Sequence, residues 1–414
     1  MSKNKQNGKL VPKLRFPEFA GDGEWEEKEL FQITPLIFDG THQTPKYTEK
    51  GIPFFSVENI ISGKKNKYIS KEDYIIATKK NKPEIDDILI TRIGNIGYSK
   101  VINWSYDFSI YVTLAVIKKS DYFISNYLHS YLQSFRFQRE IRSKSLLNAT
   151  PCKINMDELR KTEVLLPPKK PEQQKIANCL SSLDNVIEAQ AEKLDSLKEH
   201  KKGLLQRLFP AEGETVPKLR FSKFSGEWEK TILSQLANYE NGKAHEKEIS
   251  ESGNYIVINS KFISSDGEVV KRSNSANCKA NIGDILMVLS DVPNGKAIAK
   301  CFYVNKNNTY TVNQRICKIT PTNIENMFLF YILNKNAYFL SFDDGVKQTN
   351  LRKNDVLNCP LLTPKDKKEQ QKIANCLSSL DSVIEAQSEK IETLKAHKKG
   401  LMQQLFPDID GGNA

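Results

Sequence analysis

Long apolar runs are missing from this 414-residue chain; none reaches the about 18 residues that a membrane span requires. The N-terminus, MSKNKQNGKLVPK, is basic and lacks the apolar stretch of a signal peptide. The expectation is a cytoplasmic protein with no membrane partner. Cysteine is scarce and badly placed for chemistry. The seven residues Cys152, Cys179, Cys278, Cys301, Cys317, Cys359 and Cys376 are odd in number and form no Cys-x-x-Cys pair. That argues against a disulfide framework and against a zinc site, so no metal is expected. Only five histidines are present, and His245-Glu246 lacks the second histidine of a metalloprotease. No Gly-x-x-x-x-Gly-Lys-Ser/Thr loop exists to cradle nucleotide phosphates. The one Pro-Pro, at Leu166-Pro167-Pro168, lacks the Asp or Asn and the aromatic of an amino-methyltransferase site. These absences describe a chain with no catalytic centre of its own.

What is present is charge and repetition. Lys plus Arg number 61 against 50 Asp plus Glu, a net +11 that suits a polyanionic partner. Residues 172–210 return as residues 369–407 with 31 of 39 positions identical. A shorter repeat opens each half. Pro12-Lys13-Leu14-Arg15-Phe16 returns as Pro217-Lys218-Leu219-Arg220-Phe221, and Gly23-Glu24-Trp25-Glu26 as Gly226-Glu227-Trp228-Glu229. Between these signatures lie globular segments, about 30–165 and 233–362, that have diverged far more. Ile85-Asp86-Asp87-Ile88-Leu89 answers Ile282-Gly283-Asp284-Ile285-Leu286 as a surviving island of likeness. A fixed frame carrying two different readers is the simplest account.

Each 39-residue repeat predicts a long helix over about 172–208 and its counterpart, bounded by prolines. A heptad seam runs through Ile176, Leu180, Leu183, Ile187, Leu194 and Leu197, and through Ile373, Leu377, Leu380, Ile384, Ile391 and Leu394. Gln190, Gln387, Lys201 and Lys398 interrupt it, where a polar residue fixes register or simply reaches solvent. Two such seams in one chain predict an antiparallel coiled coil with pseudo-twofold character and a globular segment at each end. The other arrangements are a helix packed only on its own segment, or a dimer.

The globular segments alternate short β-rich runs with turns. These runs are 52–57, 87–92 and 111–117 in the first, and 255–258, 284–289 and 315–319 in the second. A helix is expected at about 125–144 and at about 325–341. The fold class is α+β, with mostly antiparallel sheets. Polar and basic residues crowd the loops. Thr41, His42, Gln43, Thr44, Lys46, Tyr47, Arg92 and Asn95 stand out in the first segment. In the second the residues are Lys243, Asn259, Lys261, Asn294, Lys296, Asn313, Gln314 and Arg315. Asn, Gln and Arg carry the hydrogen-bonding forks that read purine edges, while Lys, Ser, Thr and Tyr hold phosphates. As groups, these loops are candidate contacts to double-stranded DNA.

The layout resembles the specificity subunit of type I restriction-modification enzymes. The resemblance rests on the duplicated Glu-Gln-Gln-Lys-Ile-Ala helix (Glu172–Ala177, Glu369–Ala374) and its Lys-Gly-Leu-(Leu/Met)-Gln-x-Leu-Phe-Pro end. It rests also on the Pro-Lys-Leu-Arg-Phe and Gly-Glu-Trp openings and on the Asp-Ile-Leu strands with their Gly turns (Asp87–Gly97, Asp284–Gly295). It spans nearly the whole chain. The turn Gly94-Asn95-Ile96-Gly97 is close to the family pattern, and Asp291–Lys296 departs from it. The resemblance implies a basic arm at 1–20, target-recognition domains at 21–168 and 211–365, spacer helices at 169–210 and 366–407, and a tail at 408–414. Each domain would read half of an asymmetric bipartite DNA site. The helices would set the spacing and dock two modification subunits, which bind S-adenosylmethionine and methylate adenine. Restriction subunits would supply ATP- and Mg-dependent translocation and cleavage. No cofactor is expected on this chain. A coiled-coil adaptor without DNA contact, or a stand-alone nuclease or methyltransferase, are the alternative readings.

Overall fold

The computed structural model describes residues 10–292 and 295–407. Two compact units account for them: unit 1 combines residues up to 191 with those from 389 onward, and unit 2 spans 192–388. Both are α+β and share one plan.

The plan starts from apolar runs buried on both faces. In unit 1 the strands Ile88–Thr91 and Leu114–Ile117 lie at the centre of an antiparallel sheet ordered Ile37–Asp39, Leu114–Ile117, Ile88–Thr91, Ser99–Val101. Successive side chains point to opposite faces, so a strand covered on both sides needs no polar alternation. Ile88, Ile90, Ala115 and Ile117 enter one core with the helices, and Leu89, Leu114 and Val116 enter a second core with Phe55 and Phe108. In unit 2 the corresponding sheet runs Ala237–Asn241, Ile316–Pro321, Ile285–Val288, Cys301–Tyr303. Ile285 and Met287 face one core there, and Leu286 and Val288 the other. A smaller sheet covers the second face in each unit. Its one parallel pairing joins Ile52–Phe55 to Ser109–Ile110, and Tyr255–Ile258 to Tyr310–Val312. The remaining neighbours in these sheets are antiparallel.

The Asp of the shared Asp-Ile-Leu island is buried and starts the central strand. Asp87 accepts the amides of Glu84 and Lys119 and pairs with Lys118 at 2.8 Å. Asp284 accepts the Asn281 amide and the Thr320 hydroxyl. A buried carboxylate is tolerated because every such contact satisfies it.

The helical stretches expected at 125–144 and 325–341 are each broken in two. The first divides into Ser125–Leu132 and Phe135–Ser143, because Ser134 caps the second piece by accepting the Phe137 amide. The second divides into Asn326–Leu333 and Ala337–Leu340; Lys335 takes a left-handed φ of 59° and Asn336 caps the second of these pieces. The strand expected at 52–57 ends at Phe55, since Ser56 caps the helix Val57–Ser62.

Both heptad seams form helices of 39 residues, Lys170–Leu208 and Lys367–Leu405. Each unit contains the first half of one and the second half of the other. In unit 1, Arg15 forks onto Glu172 of the first helix through two 2.8 Å bonds, while the Leu14 amide donates to the Gln404 carbonyl of the second. Farther along, Lys398 pairs with Asp184. Residue 404 beside 172 and residue 398 beside 184 make the pair antiparallel. Unit 2 repeats this with Arg220 on Glu369, the Leu219 amide on the Arg207 carbonyl, and Lys201 paired with Asp381. The lysines that interrupt the seam thus meet an aspartate of the facing helix and fix register. Ile176, Leu180, Ile373, Leu377 and Ile391 are buried; Leu183, Ile187, Leu194, Leu197, Leu380, Ile384 and Leu394 are half-buried.

The opening motifs explain themselves in the same place. Arg15 also donates to the carbonyls of Asp22 and Gly23, and Arg220 to those of Ser225 and Gly226. The next residue but one or two is the buried indole. Trp25 packs tilted or edge-on against Tyr127 and Phe406, and Trp228 edge-on against Phe328 and Phe209, with centroids 5.7–6.3 Å apart. Gln173 and Gln370 accept the amides of Ile124 and Glu325, the N-caps of the short helices that face them. The repeated openings and the repeated helix starts therefore belong to the seat that holds a unit on the helix pair, while the Asp-Ile-Leu island starts the central strand.

Breaking the seat has a measurable cost. Arg15→Met leaves Glu172, 1% exposed, without its partner, and should cost about 3–5 kcal/mol in urea denaturation; adding Glu172→Met should recover most of it. His129 packs near Lys398, and its Nδ1 lies 2.9 Å from the Ser99 hydroxyl, which accepts from Gln133. Desolvation, aided by Lys398 and opposed by Asp184, lowers its pKa to about 4. The unfolded chain then binds the proton more tightly. Stability from this group is complete above about pH 6.5 and is lost as pH falls toward 4, by up to about 3 kcal/mol. His129→Gln should flatten that part of a stability–pH curve.

Candidate nucleic-acid interface

The candidate residues gather at one end of the large sheet in each unit. In unit 1 the strand Ile37–Asp39 ends at Gly40, whose missing side chain lets the chain pass the backbone of Ile110. A Cβ there would lie 2.1 Å from the Ile110 carbonyl oxygen. Thr41, half-buried, then bridges Tyr111, and His42, Gln43, Thr44, Lys46 and Tyr47 come next, all of them exposed. Thr44 Oγ1 lies 3.4 Å from the Tyr111 hydroxyl, and Lys67 sits over the Tyr47 ring. Asp39 binds both His42, at 3.2 Å, and Arg92, at 2.9 Å.

Arg92 differs from its neighbours. It is buried, it also donates to the Val112 carbonyl, and burial pushes its pKa down while Asp39 opposes that. Its guanidinium holds the loop ends together and presents little to solvent. Asn95 is exposed on a turn between Gly94 and Gly97, at φ 86° and 89°. The turn is clamped by the Gly94 amide on Cys152, the Cys152 thiol on Gly94, and Gln138 on Gly97.

Unit 2 carries different residues on the same scaffold. Gly242 repeats the close approach, with a Cβ position 2.0 Å from the Asn313 carbonyl oxygen, and Lys243 bridges Asn313. Asn259, Lys261, Asn313, Gln314 and Arg315 line one cleft of about 390 Å³. Lys261, Gln314 and Arg315 are exposed, and Asn259 spends its Oδ1 on capping the helix Ser260–Ser264. Leu289 donates its amide to the Arg315 carbonyl, as Arg92 donates to Thr113. An apolar residue therefore occupies the place of Arg92 in unit 1. Lys296 is exposed on a loop whose shape Asp291 sets by accepting the amides of Val292, Ala297 and Ile298. Asn294 lies outside the described residues.

Sequence reasoning missed a third loop in each unit. Leu146 and Ile93 both bridge Lys153, which brings residues 145–153 against the Gly turn. In unit 2, Thr349–Asn350 pairs with Ser290–Asp291, and Gln348 donates to the Ser290 hydroxyl at 2.7 Å. These segments share no sequence. The only signal was their equal place, after the broken helix and before the strand that enters each long helix. His245, considered in the sequence only against a metal site, Ser260, within the Asn259-Ser260-Lys261 loop, and Lys271, which is unremarkable alone, also line the unit 2 cleft.

The sequence pattern of the type I restriction modification DNA specificity domain matches residues 22–199 and again 225–396. Among curated proteins of Methanocaldococcus jannaschii, MjaX, a candidate type I restriction enzyme specificity subunit, is 23% identical over 92% of this chain and 93% of its own length. The type I restriction enzyme MjaVIII specificity subunit is 25% identical over 59% of this chain and 61% of its own. The crystal structure of a type I restriction-modification S subunit from M. genitalium shares the fold, with a TM-score of 0.62 at 17% identity, covering 96% of this chain and all of that one. A structure from a study of type I R-M complex assembly and conformational transition has a TM-score of 0.56 at 14% identity, covering 93% of this chain and 98% of that one.

The geometry separates a buried residue that holds the loops from residues exposed on them. Arg92→Ala should lower stability by about 1–3 kcal/mol in the absence of DNA, by removing the buried side chain that joins Asp39 to the Val112 carbonyl. Gln43→Ala, at an exposed position, should leave stability within about 0.5 kcal/mol. Thermal melts of the two variants check this.

Proposed function

The chain belongs to the type I restriction-modification DNA specificity family, and on that premise we propose that each unit reads one half of an asymmetric bipartite duplex site. It is a DNA-recognition subunit of a type I restriction-modification complex. The observation that carries the half-site reading is the contrast between frame and loops. Residues that seat each unit on the helix pair are repeated almost unchanged, while the polar loops at the same sheet end differ throughout. A common frame with free loops is what two different recognition sequences require. Asn, Gln and Arg on those loops supply base-edge contacts, and Lys and Thr supply phosphate contacts.

The antiparallel helices, pinned in register by the Lys–Asp pairs, act as the ruler between half-sites and as the platform for two modification subunits. Those subunits bind S-adenosylmethionine and methylate an adenine flipped from the duplex. Restriction subunits bring ATP and Mg. This chain contributes recognition and no catalytic group, and it works in the cytoplasm, where DNA and these partners meet.

Base-resolution mapping of methyladenine, in cells carrying this chain and its modification subunit, tests the reading. One split motif with a methylated adenine in each half is expected. Exchanging residues 30–165 for those of another family member should then change one half only. An assembled complex that yields no split motif would contradict half-site reading and favour an adaptor. Methylation by the purified chain alone would contradict the non-catalytic role.

A further inference from the structure

The cleft of unit 2 has chemistry that loop polarity alone does not explain. His245 is fully buried on its wall. Its Nε2 lies 2.8 Å from the Thr311 hydroxyl. That hydroxyl donates to the Cys278 carbonyl and accepts the Cys278 amide. Nε2 is thus committed to the Thr311 hydroxyl, which leaves Nδ1 as the spare ring atom. Among the described residues Nδ1, which is buried, has no hydrogen-bond partner, and neither has the buried hydroxyl of Ser260 on the same wall. A buried polar atom without a partner is costly, so two of them on one cleft wall point to a ligand that satisfies them. Lys261, Lys271 and Arg315 surround the opening, with Glu246 the one carboxylate on the lining. None of the three cations forms an ion pair among the described residues.

Unit 1 shows the same place filled differently. Lys67 lends its carbonyl to the Phe54 amide as Lys271 does to Val257, so the two lysines correspond. Glu58 is the second residue of the helix after Ser56, as Lys261 is the second after Asn259. In unit 1, therefore, the helix residue is an acid, and it neutralises its lysine at 3.2 Å. Thr113 stands in the place of Arg315.

We propose that the unit 2 cleft is a phosphodiester site, in which Lys261, Lys271 and Arg315 neutralise one stretch of DNA backbone and the Ser260 hydroxyl and the His245 Nδ1–H donate to its oxygens. Unit 1 has no counterpart. The two half-sites are then held unequally: unit 2 grips backbone as well as sequence, and unit 1 relies on its loops. The inference rests on the DNA-reading function proposed above and names one component of it.

The test uses the assembled complex, with Lys261→Ala/Arg315→Ala as the variant because both side chains are exposed. Duplexes carry the mapped site with either the first or the second half scrambled. The wild-type complex should show a steeper loss of affinity with salt on the duplex that keeps the unit 2 half. The variant should lower that slope by about 2, without changing base preference within the half. Between 50 and 200 mM salt this is a difference of about 10-fold in affinity lost. A neutral methylphosphonate at one linkage of the unit 2 half should weaken the wild type and leave the variant unmoved. Equal slopes for the two halves, or a variant that changes base preference instead of slope, would overturn the phosphodiester site while leaving half-site reading intact. Absence of sequence-dependent binding on the unscrambled duplex would instead remove the reading on which it stands.

Discussion

A buried carboxylate at the start of each long helix is the point on which the rest of the architecture depends. Glu172 and Glu369 are 1% exposed, and a charge in that position is tolerable only with a partner of matched geometry. Arg15 and Arg220 provide it as two-pronged forks, which ties the extended opening of each half to its helix. The same arginines collect the carbonyls just ahead of the buried indoles, and the neighbouring leucines bond the end of the opposing helix. One charge pair thus joins three segments distant in sequence. It also explains why an opening pentapeptide, a Gly-Glu-Trp turn and a helix start are duplicated together.

On that seat the two domains are free to differ in the loops at the sheet end. The shared requirements are backbone ones: a glycine where a strand skims a neighbouring carbonyl (Gly40, Gly242), and an aspartate that starts the central strand (Asp87, Asp284). Side chains facing outward at the sheet end carry no such constraint. One domain closes its loop with an Asp39–Arg92 pair under His42, and the other leaves Leu289 there and opens a basic cleft. Different loop surfaces thus arise without disturbing the core, because both faces of the central strands are already packed.

Much of this could be read from the chain alone, and the reasons are specific. A 4,3 spacing of apolar residues over 39 positions has no stable meaning other than a helix seam, so both long helices were legible. The sheets were legible as apolar runs. The breaks at Ser134 and at Lys335–Asn336 were not, because a local cap interrupts a helical pattern without erasing it. Among candidate contacts, clustering was visible in composition, but burial was not. Arg92 looks like a reader in sequence and is a strut in space. The 145–153 and 343–352 loops and the His245 wall become visible only when strand pairing brings them beside the others. The family likeness supplied the role of the partners, which no residue of this chain encodes.

The central claim is that one repeated frame holds two loop sets that meet DNA while the frame itself stays unchanged. Hydrogen–deuterium exchange of the assembled complex, with and without its recognised duplex, tests this most directly. The account predicts protection on DNA binding at residues 41–47 and 92–97 and at residues 243–246 and 313–315. Exchange at the Arg15–Glu172 and Arg220–Glu369 seats should not change. Protection confined to the seats or to the exposed faces of the long helices, with the sheet-end loops unaltered in both units, would contradict it.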